Sequence, residues 1–207
     1  MDADHRGATP IICSDIGGVV IDVESDRLLH QLGLLLGRPL DEVQAAVFHP
    51  ELLLPFELGR IAPRTYYEGL KERLGLPWTY DQFVRAWNGI FRENHDVIAI
   101  LRRLRQQHRL LALTNTNTLH LAHIKTAIPS MGLFEAWVAS CEVGVRKPDP
   151  AIYALALERM GVSPAQAIYI DDRPELVEAG RRVGLTAIRF ENSRQLEADL
   201  RAAGLTF

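Results

Sequence analysis

Ile11-Ile12-Cys13-Ser14-Asp15-Ile16-Gly17-Gly18 is the stretch on which the reading of this chain turns. Its apolar start is too short for a helix, and the two glycines that follow permit a sharp change of direction. The run predicts a buried strand that feeds a tight loop, with Asp15 at the strand's carboxyl end.

The same grammar recurs along the chain. Leu110-Leu111-Ala112-Leu113 ends at Thr114-Asn115, and Ala167-Ile168-Tyr169-Ile170 ends at Asp171-Asp172. Trp137-Val138-Ala139-Ser140 and Thr186-Ala187-Ile188 read as two further strands. Helical patterns lie between them. Val97, Ile98, Leu101 and Leu104 form one face, and Asp149-Pro150 opens a helix through Ile152, Leu155, Ala156 and Met160 that Gly161 closes. A helix through Val177 leads to Gly184, and Asn192 to Gln195 cap a last one. Strands alternating with helices predict an α/β fold, a parallel sheet with helices on both faces.

Residues 23–92 break the alternation. Ser25 is placed as the cap of a helix carrying Leu28, Leu29, Leu32 and Leu36 and ending at Gly37. Asp41 starts a second helix, and Pro63 suits the first turn of a third that runs through Tyr66, Tyr67 and Leu70 to Gly75. Thr79-Tyr80-Asp81-Gln82 is a capping-box pattern opening a fourth, with Phe83, Trp87, Ile90 and Phe91 on its face. No strand is expected here, so the segment reads as an all-helical insertion, 23–92, in a core made of 10–22 and 93–207. Residues 1–10 read as a frayed tail.

Composition narrows the function classes. The chain has 207 residues, 47% hydrophobic and 24% charged, with a net charge of −3. That suits one globular α/β unit with an insertion. Acidic balance and dispersed Lys and Arg argue against nucleic acid as a partner. No apolar run has the roughly 18 residues of a membrane span. The N-terminal residues do not resemble a secretory signal, and Cys13 and Cys141 read as buried free thiols, so a cytoplasmic location is expected. Gly-x-Gly-x-x-Gly and the phosphate loop ending in Gly-Lys-Ser/Thr are both absent.

Asp15, Thr114 and Asp171-Asp172 each follow directly on a strand, and a parallel sheet gathers the carboxyl ends of its strands at one crevice. Lys147, in Val145-Arg146-Lys147-Pro148-Asp149-Pro150, precedes a helix. Any one of these is ordinary as a turn or cap residue, and together they describe a site for phosphoryl chemistry. A carboxylate such as Asp15 can attack phosphorus. Charge repulsion from the phosphate is relieved by a hard cation, and Mg²⁺ takes carboxylate and carbonyl oxygens, here Asp15, Asp172 and the Gly17 carbonyl. Thr114 and the Asn115 N–H can donate to phosphate oxygens, and Lys147 adds positive charge.

Asp15-Ile16-Gly17-Gly18-Val19, Thr114-Asn115, Lys147-Pro148 and Ile170-Asp171-Asp172 resemble, in order and spacing, the motifs of the haloacid dehalogenase superfamily. Phe56-Glu57-Leu58-Gly59-Arg60-Ile61, Asn115-Thr116-Asn117 with His120, and Arg146-Lys147-Pro148-Asp149-Pro150 narrow the resemblance to its α-D-glucose-1-phosphate phosphatase branch. The phosphatase domain of soluble epoxide hydrolase is similar at greater distance. The resemblance implies a Rossmann-like core with a helical cap at 23–92. It also implies Asp15 as nucleophile, and Asp172 as main metal carboxylate with Asp171 beside it. The expected activity is Mg²⁺-dependent hydrolysis of a small phosphorylated metabolite such as a sugar phosphate.

Two positions depart from the superfamily's pattern. Gly17 stands where most of its phosphatases carry a second Asp as general acid, a group typically worth about 10²–10⁴-fold in rate. His49 and Glu57 are the candidates to replace it. Leu176 stands where Asp or Asn usually supports the metal, and neighbouring Glu175 is the candidate substitute. Two other functions are therefore weighed. A 2-haloacid dehalogenase also lacks the second Asp, but Asp171-Asp172 would repel its carboxylate substrate. A catalytically degenerate binding protein would explain Gly17 and Leu176, but leaves Asp15, Thr114, Lys147 and Asp172 without a task.

Overall fold

The computed structural model describes residues 9–207; the rest of the expected tail, 1–8, lies outside the described residues. Strand β1 (Ile11–Ser14) runs into the Asp15–Val20 loop and then β2 (Ile21–Val23). Five helices follow: α1 (Ser25–Leu36), α2 (Leu40–Val47), α3 (Pro50–Glu57), α4 (Pro63–Leu74) and α5 (Tyr80–Asn88). Strand β3 (Phe91–Glu93) brings the chain back, followed by α6 (His95–Leu104), β4 (Leu110–Thr114), α7 (Thr118–Ala127), β5 (Ala136–Ala139) and α8 (Ser140–Val143). The chain then alternates through α9 (Pro150–Met160), β6 (Ala167–Asp171), α10 (Pro174–Arg182), β7 (Thr186–Arg189) and α11 (Ser193–Ala202).

The five-stranded sheet has the order β5-β4-β1-β6-β7, and every pairing in it is parallel. This is the expected α/β architecture. Side chains alternate across the sheet as the strand period of two demands. Ile12, Leu110, Ala112, Ile168 and Ile170 join α6, α7 and α11 in one core. Ile11, Cys13, Leu111, Leu113 and Tyr169 join α9 and α10 in the other. Both faces are thus sealed, and the carboxyl ends of the strands are the edge left for a ligand. Both cysteines are free and buried. Among the described residues, no helix is long and apolar enough to cross a membrane.

Helices α1 to α5 bury a third cluster of their own, built on Leu28, Leu32, Val43, Phe56, Tyr66, Phe83 and Trp87. Tyr66 lies at its centre, stacked on Phe56 with ring centroids 4.5 Å apart and bonded through its hydroxyl to the Val47 carbonyl at 2.7 Å. The Thr79 capping box forms, with Gln82 N–H on Thr79 Oγ1 at 3.3 Å and Thr79 N–H on Gln82 Oε1 at 2.8 Å.

Three local expectations are corrected. Ser25 is the first residue of α1 rather than its cap, which is Glu24. Ser140 belongs to α8, not to the strand before it. The last insertion helix stops at Asn88, because Gly89 favours helix ends, and Ile90 and Phe91 leave it. Phe91 pairs instead with Val23 in an antiparallel ribbon of β2 and β3, with Asp22 opposite Arg92 and Ile21 opposite Glu93. Strands of three residues show no alternation to read, and these two are far apart in sequence. Glu24 N–H on the Ile90 carbonyl at 2.7 Å and Asn94 N–H on the Val20 carbonyl at 3.0 Å complete this root of the insertion.

Candidate active site

Asp15 lies just past the end of β1, with Thr114 at the end of β4 and Asp171-Asp172 at the end of β6. Asp15, Asp171 and Asp172 each have a carboxylate oxygen within 4.8 Å of the others'. Lys147 reaches into them from the loop before α9. Its Nζ lies 2.9 Å from Asp15 Oδ2 and 2.7 Å from Asp171 Oδ2, and the residue is only 1% exposed. One cation among three carboxylates leaves an excess of negative charge, and a hard divalent ion is the chemical complement of that donor set.

The three carboxylates are engaged differently. Asp15 Oδ1 accepts the Ile16 N–H at 2.7 Å. Asp171 is committed on both oxygens, Oδ2 to Lys147 and the Tyr169 hydroxyl, Oδ1 to the Arg173 N–H at 2.9 Å. Asp172 is half-buried, and no described side chain donates to it. It stands against Gly18, where an added Cβ would come 2.6 Å from Asp172 Oδ2 at a φ of +81°. Gly18 is therefore needed both for its left-handed backbone and for the space it cedes to this carboxylate.

Electrostatics follow from this packing. Burial pushes the Asp15 carboxyl up to about 7, against the pull of Lys147, and Asp171 adds to the rise. Burial and Asp171 also raise Asp172. Burial works against the Lys147 charge, but Asp15 and Asp171 outweigh it and hold its pKa above the ordinary lysine value. Burial keeps the Tyr169 hydroxyl protonated, so it serves as a donor to Asp171.

Asn115 has a side-chain task that its sequence position did not announce. Its Oδ1 accepts the Lys147 N–H at 2.8 Å and its Nδ2 donates to the Lys147 carbonyl at 2.9 Å. This two-point clamp fixes the backbone that delivers the buried ammonium; the Lys147-Pro148 peptide bond is cis. Thr114 lines the same cavity as Asp15, together with Gly17, Asn115, Asn117 and His120.

A family model for haloacid dehalogenase-like hydrolases matches residues 10–184, most of the chain. The chain belongs to the haloacid dehalogenase-like hydrolases. A sesquiterpene phosphatase of Aspergillus oryzae is 27% identical over 90% of this chain and 92% of its own length. A D-ribitol-5-phosphate phosphatase of Bacteroides thetaiotaomicron is 22% identical over 91% of this chain and 95% of its own. In structure, a family enzyme from Bacteroides thetaiotaomicron, solved with magnesium and inorganic phosphate, superposes with a TM-score of 0.77 at 24% identity, covering 89% of this chain and 95% of that one. That likeness concerns the fold.

Within this hydrolase family the two departures now have a physical setting. A Cβ at Gly17 would lie 3.1 Å from Val23 Cγ2, a tight approach that a longer side chain could make only with a small shift of Val23. Leu176 is buried at 2% exposure, and its carbonyl accepts the Tyr153 hydroxyl at 3.0 Å. Glu175 does not replace the usual acid there; it is exposed and pairs with the Arg173 side chain.

The two candidates for a general acid separate. His49 caps α3 near Glu51, at 3.8 Å, and is not part of the cavity. Glu57 lines the cavity, with Arg146 Nη1 2.8 Å from its Oε2. Burial raises the Glu57 pKa, against the pull of Arg146 and Arg173. Its neighbourhood ties the end of α3 to the chain after β4 and to α8. The Ser140 hydroxyl lies 2.7 Å from the Glu57 carbonyl and 3.0 Å from that of Thr116, and it accepts the Thr116 N–H at 2.9 Å.

His120, named in the sequence motif, proves to be a second tie. Its Nε2 lies 3.0 Å from the Trp87 carbonyl, which can only accept, and its Nδ1 lies 3.0 Å from Asn117 Nδ2, which can only donate. The ring is therefore neutral, with its proton on Nε2. It stacks on Trp87 at a centroid distance of 5.0 Å and meets Phe91 edge-on at 4.7 Å. Burial lowers its pKa to about 4, partly offset by the bond to Trp87 and assisted by His123.

Proposed function

We propose that the protein is a Mg²⁺-dependent phosphomonoesterase that acts on a small phosphorylated metabolite through an aspartyl-phosphate on Asp15. The observation that carries this reading is the buried Lys147 between Asp15 and Asp171, with Asp15 lining one cavity together with Thr114 and Asn115. The names of the phosphatase relatives agree with it. In this reading residues 23–92 act as a cap over the core formed by 10–22 and 93–207.

Lys147 opposes the burial that would protonate Asp15 and so keeps a fraction of it as the attacking carboxylate. The Asp15 oxygen forms a bond to phosphorus as the bond from phosphorus to the alcohol oxygen breaks. The departing alkoxide takes a proton from Glu57, the raised carboxyl in the cavity. Water then attacks the phosphorus of the acyl phosphate as the Glu57 carboxylate takes its proton; the bond from phosphorus to the Asp15 oxygen breaks, phosphate is released, and Asp15 and Glu57 are both restored. Thr114 and the Asn115 N–H orient the phosphoryl oxygens, and Lys147 stabilises their growing charge. Asp15, Asp172 and the Gly17 carbonyl would hold Mg²⁺, with Asp171 as anchor of Lys147; the ion supplies charge that screens the phosphoryl group from the carboxylates.

The test is phosphate release from a panel of phosphomonoesters, glucose 1-phosphate among them, with Mg²⁺ and with EDTA, for the native chain and Asp15→Asn. Turnover that requires both Mg²⁺ and Asp15 is expected. Turnover that survives EDTA or the Asp15→Asn substitution would sink the proposal.

A further inference from the structure

The cavity beside Asp15 has a volume of ≈ 240 Å³, and its two ends differ in chemistry. Asp15, Thr114 and Asn115 form the polar end. Leu28, Leu29, Phe48, Leu53, Trp87 and Phe91 are among the apolar walls supplied by residues 23–92. Val23 and Phe48, which also line it, are 43% and 40% exposed, so apolar surface stands open at this site.

The polar side chains of the walls are largely spent on the protein itself. Asn115 clamps Lys147. Asn117 and His120 are bonded to each other, and His120 to Trp87. Glu57 is paired with Arg146. That leaves the hydroxyls of Ser25 and Thr116, with Glu57 Oε2 and Trp87 Nε1, both buried without a hydrogen-bond partner among the described residues. A hexose carries oxygen on every ring carbon, and most of these would be desolvated against Leu, Phe and Trp with nothing to bond. A hydrocarbon group loses nothing there and gains by burial.

We infer that the substrate's organic part is apolar: the site takes the phosphomonoester of a compact hydrocarbon alcohol in preference to a sugar phosphate. The inference rests on the phosphomonoesterase reading above and narrows its substrate class. The phosphate faces Asp15, Thr114 and Asn115, and the hydrocarbon lies against Leu28, Leu53 and Phe48. The cavity is slightly smaller than the roughly 300–1,000 Å³ common for small-molecule sites, which favours a short or single-ring group.

Cyclohexylmethyl phosphate and glucose 6-phosphate make a matched pair: each has a six-membered ring on a primary alkoxide leaving group. The sugar alkoxide is the better leaving group, so chemistry alone favours the sugar. With the full chain and Mg²⁺, kcat/KM for cyclohexylmethyl phosphate should exceed that for glucose 6-phosphate by about tenfold or more. Acetyl phosphate, which has almost no organic tail, is run alongside. Phe48→Asn should lower the preference several-fold. Hydrolysis of acetyl phosphate with glucose 6-phosphate equal to or better than its partner would overturn the inference and leave the phosphatase reading standing. A preference unchanged in both Phe48→Asn and Leu53→Asn would overturn the placement of the tail, and with it the inference. No hydrolysis of any of the three would remove both.

Discussion

Replacing His120 by Phe should change how stability depends on pH, and the size of the change follows from one ring. His120 has a folded pKa of about 4 against an ordinary value of 6.5, because burial disfavours its charged form. Between these values the unfolded chain binds a proton that the folded chain refuses. Folded-state stability therefore falls as pH drops below about 6.5 and levels off near 4. From about pH 7.5 to about pH 4.5 the full shift amounts to roughly 2.5 kcal/mol, which partial exposure of the ring discounts to about 1–2 kcal/mol. Asp15 acts with the opposite sign. Its carboxyl, raised to about 7, favours the folded state as pH falls from there towards its ordinary 3.8. The native profile alone would blend the two, and the difference between native chain and His120→Phe isolates the ring.

Phe keeps the stack on Trp87 but strands the Trp87 carbonyl, so near pH 7.5 the variant should be less stable by about 1–3 kcal/mol. Near pH 4.5 that gap should have closed by about 1–2 kcal/mol, which for a chain of this size is roughly 2–8 °C in Tm. Parallel thermal melts in metal-free buffer across this range read it. A gap that stays constant with pH, or widens towards acid, would refute the neutral, buried His120 and its bond to Trp87.

Three further outcomes follow from the site. Lys147→Met leaves Asp15 and Asp171 buried without their cation and should cost about 3–5 kcal/mol in chemical unfolding, with turnover lost; a stable, active variant would contradict the central ion pair. Gly18→Ala places a Cβ 2.6 Å from Asp172 Oδ2 at φ +81°, and should weaken Mg²⁺ binding in calorimetric titration by about 10–100-fold. Unaltered affinity would remove Asp172 from the metal site. Glu57→Gln should lower kcat for alkyl phosphates by about 10²–10⁴-fold while affecting acetyl phosphate far less, because acetate leaves without a proton. Equal losses on both substrates would make Glu57 a structural residue, as the partner of Arg146.

Much of the fold was legible in the sequence because its strands are buried on both faces. Apolar runs such as Leu110–Leu113 and Ala167–Ile170 are what such strands look like, and each runs into a polar residue, Thr114 or Asp171. The gathering of Asp15, Thr114 and Asp171-Asp172 could be read for the same reason, since each is marked by adjacency to a strand end. The ribbon of β2 and β3 was hidden, since Val23 and Phe91 pair across the five helices that separate them in sequence. The clamp by Asn115 and the bridge by Ser140 were hidden too, because both bonds join loops that are distant in sequence. Gly17 could be seen as a departure, but not that Val23 lies close beside it.

In the proposed reaction Asp15 becomes phosphorylated. During steady turnover of acetyl phosphate with Mg²⁺, the reaction is quenched and treated with borohydride, which reduces an aspartyl-phosphate to homoserine. Peptide mass spectrometry then reads each carboxylate of the chain. Homoserine at position 15, and at neither Asp171 nor Asp172, is the expected result. Sustained turnover with aspartate intact at position 15, or with homoserine elsewhere, would contradict the account.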